Sequence, residues 1–145
     1  MSDFRNPPHA YVPGQTIRHP EGLFDPLKVG IHNAMTEDEM QSSLAWRAGI
    51  RFRDDGFYWE CHEVLEALWL ATPDGALRNY VQAVIQLANA QLKSRMDRPK
   101  AVRRLCMIVQ SLLDECEGRT MILGQNVERL RAEACALQDL HQNKQ

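Results

Sequence analysis

The chain has 145 residues, 44% of them hydrophobic and 25% charged, with a formal net charge of −2. That length suits one domain, and a chain of about 150 residues hides roughly 68–70% of its unfolded surface, so a core needs no staples. There is no basic field for nucleic acid, no apolar run near the roughly 18 residues that span a membrane, and no apolar signal segment in the proline-rich start.

Residues 1–35 read as an extended arm laid over the body. Five of the seven prolines fall there: Pro7, Pro8, Pro13, Pro20 and Pro26. Proline removes a backbone donor and keeps the residue before it out of helical geometry, which excludes a long helix. Tyr11, Val12, Ile17, Leu23, Phe24 and Leu27 are apolar groups worth burying, so the arm is expected on the body with one short helical turn.

Residues 36–145 read as the helical bundle domain. Thr36-Glu37-Asp38-Glu39 has the form of a capping box. Met40, Leu44, Ala48 and Phe52 follow at four-residue spacing, which predicts one continuous helix ended by Asp54-Asp55-Gly56. A second helix is predicted from about Phe57 to Ala71, stopped ahead of Pro73-Asp74-Gly75, and a third from about Ala76 to Met96. Pro99 suits the first position of a fourth helix, reaching about Glu117 with Gly118 behind it. A final helix is predicted from about Asn126. No window alternates strictly with β-branched residues, so no strand is predicted. The fold class is all-α, a single-domain bundle of about five helices with a Pro-rich extended N-terminal arm. Cys61, Cys106, Cys116 and Cys135 form no zinc spacing and fall in apolar helical patterns, as expected of reduced, buried thiols in a cytoplasmic protein.

The second helix carries the chemistry. His62 and Glu66 stand one turn apart at the edge of its core arc, where a carboxylate can orient an imidazole for acid–base work. Tyr58, Trp59 and Trp69 flank them as a candidate binding wall, while Glu60 and Glu63 are predicted to face water, Glu63 as an accessory acid. The same pair supplies one nitrogen and one oxygen to a divalent metal, a partial match to H-E-x-x-H that needs a third ligand. His19 in the arm is the first candidate for that ligand, with Arg18 beside it over the site. The competing reading is a buried hydrogen-bonded pair that only locks the helix.

Gln82, Gln86, Asn89 and Lys93 make a polar stripe along the third helix, either a solvated face or the wall of a pocket facing His62 and Glu66. Lys93, Arg95, Arg98, Lys100, Arg103 and Arg104 cluster near the start of the fourth helix, which suits a small anionic ligand or, with the acids of residues 54–66, self-association into a homo-oligomer.

His62-Glu63-Val64-Leu65-Glu66-Ala67-Leu68-Trp69, followed by Ile85-Gln86-Leu87-Ala88, resembles a small prokaryotic all-helical family, domain of unknown function 309, over roughly residues 44–115. Its hallmark is H-E-x-x-E-x-x-W, and the arm segment Pro13–Gly22 resembles the leader of some members. The resemblance implies a helical bundle. The family is sometimes labelled a predicted metal-dependent hydrolase, and His62, Glu63, Glu66 and Trp69 are the positions carried over. Some relatives have a histidine where Lys93 aligns. The functional expectation is therefore a small cytoplasmic hydrolase, metal-assisted or not, built on His62–Glu66. The alternative is a non-catalytic module that binds a small molecule or a partner.

Overall fold

The computed structural model of the protein describes residues 4–145. Six helices make up the body: α1 (Glu37–Ser42), α2 (Leu44–Asp54), α3 (Tyr58–Ala71), α4 (Ala76–Arg95), α5 (Pro99–Asp114) and α6 (Val127–Leu140). Two short segments, β1 (Met121–Ile122) and β2 (Gln125–Asn126), join α5 to α6. No helix among the described residues is long and apolar enough to cross a membrane.

The capping box is present as the sequence predicts: Thr36 Oγ1 accepts from the Glu39 amide at 3.1 Å and Glu39 Oε1 accepts from the Thr36 amide at 2.9 Å. The helix it starts is shorter than predicted. Ser43 adopts extended geometry, its hydroxyl donates to Met40 O at 2.6 Å and accepts from the Trp46 amide at 3.2 Å. A serine offers the backbone both an end and a new N-cap, so one predicted helix becomes α1 and α2.

The absence of strand is corrected too. Met121 pairs with Asn126 and Ile122 with Gln125, antiparallel, around Leu123 and Gly124, both at positive φ. That is the backbone of a tight two-residue hairpin, and two residues per strand are too few to alternate visibly in sequence. Trp46 Nε1 donates to Leu123 O at 3.2 Å and anchors the hairpin to α2. Helix α5 ends at Asp114, about one turn before the predicted end, because Glu117 and Gly118 turn through positive φ.

Helix α4 runs through the middle, packed between α3 and α5 and buried on most sides. Helices α2 and α3 approach closely at Gly49, where an added Cβ would stand 2.4 Å from the Leu65 side chain. The arm lies on α2 and α3. It makes one 3-10 turn, Asp25–Lys28, and buries Phe24 and Leu27, with Phe24 packed against both Phe52 and Trp59.

Candidate functional site

At 100° per residue, Cys61, Val64, Leu65 and Leu68 put one face of α3 into the core, and all four are fully buried. A histidine–glutamate pair sits at each edge of that face. One was expected and one was not.

The expected pair is His62 and Glu66. Their Nε2 and Oε2 atoms are 3.0 Å apart, and the side chains remain 35% and 49% exposed. The pair is therefore neither a buried lock nor a sealed site, but a contact on an open helix face. Tyr58 and Trp69 stand at the two ends of this face, each covered by a cation from α4: the Arg95 guanidinium is 4.6 Å from the Tyr58 ring centre and that of Arg78 is 4.3 Å from Trp69. Trp69 Nε1 is buried without a partner among the described residues. The two cation–π contacts set α3 and α4 antiparallel. Gln82, Gln86, Asn89 and Lys93 then lie along α4 between the clamps, all half-buried, with Asn89 Nδ2 donating to Gln86 Oε1 at 3.2 Å.

The other pair is His19 and Glu60. Glu60 does not face water: it is 0% exposed, the largest departure from the sequence reading. Its Oε2 accepts from the Tyr11 amide at 2.6 Å and stands 2.6 Å from His19 Nε2. Rotating 100° per residue puts Glu60 beside Val64 at the far margin of the core, and the arm closes over that margin. Because the carboxylate is an acceptor, the ring donates to it from Nε2; in the neutral ring that tautomer puts the lone pair on Nδ1. His19 Nδ1 and Glu60 Oε1 are both buried and have no partner among the described residues. The His19 ring is 2% exposed, stacked against His9 at 4.5 Å and edge-on to Phe24 at 5.2 Å. His19 was expected to join His62 and Glu66; it is instead committed to Glu60.

Beside this pair, between arm and α3, opens a cleft of about 380 Å³ lined by Arg18, His19, Asp25, Lys28, Trp59 and Glu63, among others. Lys28 Nζ reaches Glu63 Oε1 at 3.2 Å, and Arg18 lies over the Tyr11 ring at 5.6 Å. The predicted site residues thus divide. Arg18, His19, Trp59 and Glu63 meet in the cleft, while Tyr58, His62, Glu66, Trp69, Gln82, Gln86, Asn89 and Lys93 lie along the α3–α4 face. Nothing in the local sequence around Glu60 marks it as buried; the signal is its helical angle combined with the apolar content of a distant arm.

Part of the basic segment is spent on structure. Arg95 donates to Gly56 O at 2.8 Å, and Arg103 donates to the carbonyls of His141 and Lys144 at 2.6 and 2.8 Å, tying down the C-terminus. The thiol of Cys61 is pushed up to about 12 by burial, and that of Cys106 to about 11. Among the described residues no three His, Cys, Asp or Glu side chains gather closely enough to hold a metal ion. Each histidine–glutamate pair offers two ligating residues, and those of His19 and Glu60 already face each other. The donor sets do not fit the expected divalent metal.

A family model described as domain of unknown function (DUF309) matches residues 46–105. The chain resembles DUF309 over that stretch. The DUF309 match runs from α2 into α5 and takes in both edges of α3, with Glu60, His62, Glu63, Glu66 and Trp69, but leaves the arm with Arg18, His19 and Lys28 outside it. No curated protein and no solved structure gives a significant match.

Proposed function

We propose that the protein is a ligand-binding helical module whose site is the cleft between the arm and α3. The observation that carries this reading is the cleft wall at His19, a ring held by Glu60 at 2.6 Å whose second nitrogen is buried and has no partner among the described residues. A buried polar atom without a partner costs about 1–3 kcal/mol, and such atoms concentrate where a ligand or water completes the bonding. The charged groups around the cleft are of both signs, Arg18 and Lys28 against Glu21, Asp25 and Glu63, beside the flat ring of Trp59. That lining suits a small zwitterion, such as an amino acid, better than a simple anion.

The unpartnered nitrogen favours a second reading, hydrolysis without a metal. A carboxylate that fixes one ring nitrogen leaves the other, in the neutral ring, as a positioned general base. With the ring 2% exposed, the arm would have to lift for that nitrogen to take a proton from attacking water and return it to the leaving group of a bound ester or amide. The protein of this reading is a small hydrolase built on His19–Glu60.

A thermal-shift screen separates occupancy from its absence, since a ligand at 100 times its Kd stabilises by about 2.7 kcal/mol. Free amino acids are expected to raise the melting temperature by several degrees, and to lose that effect in Lys28→Ala and Arg18→Ala. No shift with any amino acid, or equal shifts in those variants, contradicts the reading.

A further inference from the structure

Helix α5 presents a second surface unconnected with the cleft. Arg104, Met107, Ile108, Ser111, Leu112 and Glu115 line a shallow groove of about 680 Å³. They recur at three- and four-residue spacing, so they form one stripe along α5. Its middle is apolar, with Met107 60% exposed, and its two ends carry opposite charges. Neither the Arg104 nor the Glu115 side chain has an ion-pair partner among the described residues, whereas Arg51, Arg53, Arg78, Arg119 and Arg131 are each paired with a carboxylate.

We infer that this stripe is the docking surface for a second copy of the chain, paired through a two-fold axis with the α5 helices antiparallel. The stripe is complementary to itself. An axis passing between Val109 and Gln110 sets Arg104 opposite Glu115 of the second copy at both ends. The same axis sets Met107 opposite Leu112 and Ile108 opposite Ser111. A small hydroxyl facing a branched apolar chain lets two helices approach to the usual 8–10 Å or so. A parallel pairing would face arginine with arginine and glutamate with glutamate, so the charges select the antiparallel arrangement. Two-fold pairing is also the closed arrangement that one self-complementary patch permits. One helix per copy covers less than the roughly 800 Å² per partner of a standard interface, so the dimer is expected to be reversible.

The test is a charge exchange followed by sedimentation velocity across a concentration series. Wild-type protein is expected to pass from monomer to dimer as concentration rises. Arg104→Glu places two glutamates face to face at each end, and Glu115→Arg does the same with arginines. Each should weaken association by about tenfold or more. The double variant R104E/E115R restores opposite charges and should return the dissociation constant to near the wild-type value. Met107→Asp, in the middle of the stripe, should abolish the dimer while leaving the circular dichroism spectrum intact. Wild-type protein that stays monomeric at the highest attainable concentration overturns the inference. So does a dimer indifferent to the single exchanges, or a folded double variant that fails to regain association.

Discussion

Glu60 and His19, 41 positions apart in sequence, meet at 2.6 Å with side chains 0% and 2% exposed, and this contact helps fasten the arm to the bundle beside the buried Phe24 and Leu27. The same Glu60 oxygen takes the Tyr11 amide, so one carboxylate holds the arm at two points. Glu60→Ala leaves both arm groups buried and unpaired, and unpaired buried groups cost about 1–3 kcal/mol each. The variant is expected to melt several degrees lower and to be cut within residues 4–35 by trypsin well before the body. Unchanged protease resistance of the arm would contradict its fastening through Glu60.

The surface pair behaves differently. His62 and Glu66 are half-exposed, and such pairs contribute about 0–1 kcal/mol. His62→Ala and Glu66→Gln are expected to shift stability by no more than about 0.5 kcal/mol, read from urea denaturation. A loss of several kcal/mol would mean that the pair supports the fold.

Close approach of α2 and α3 makes Gly49 intolerant of a side chain. An added Cβ at 2.4 Å from Leu65 forces the two helices apart, although Gly→Ala ordinarily strengthens a helix by about 1 kcal/mol. Overpacking outweighs propensity, with an expected net loss of about 1–3 kcal/mol in Gly49→Ala. A melting temperature equal to or above wild type would show that the Leu65 side chain moves aside freely.

Two carboxyls give opposite pH signatures. The hydrogen bond from Arg119 holds the Glu37 carboxyl below its ordinary value, against the opposing effect of burial. A depressed folded value means stability that is present above about pH 4.3 and is lost as pH falls through the folded value. Burial raises the Asp54 carboxyl, so its ionisation opposes folding above the raised value and costs nothing below the unfolded one. Glu37→Gln is therefore expected to be less stable than wild type at neutral pH, with the gap closing in acid. Asp54→Asn should be as stable as wild type or more so at neutral pH, that gain also vanishing in acid. Parallel urea titrations check the signs; a Glu37→Gln gap that widens in acid would contradict the assignment.

Most of the bundle was legible in local sequence because its punctuation is local. The Thr36–Glu39 box, Pro99 at the start of α5 and Asn126 before α6 each act within one turn of chain, and each does what its chemistry predicts. Ser43 escaped notice because a serine fits a helix face as readily as a cap, and only the path of the neighbouring chain decides between them. The site was half legible. His19, Arg18, Trp59 and Glu63 were singled out by residue type, but their common neighbour Glu60 was assigned to solvent. A helical angle tells which way a side chain points and not what covers it, and the cover here comes from an arm 41 positions distant.

Mapping a bound amino acid by nuclear magnetic resonance on uniformly 15N-labelled protein tests the cleft most directly. Titration with glutamate or arginine is expected to move the Trp59 indole signal, the backbone amides of the non-proline residues in 18–28 and the ring nitrogens of His19, with Tyr58, His62 and Trp69 unmoved. Shifts confined to His62, Glu66 and the stripe of α4, or a spectrum that ignores every amino acid offered, would contradict the account.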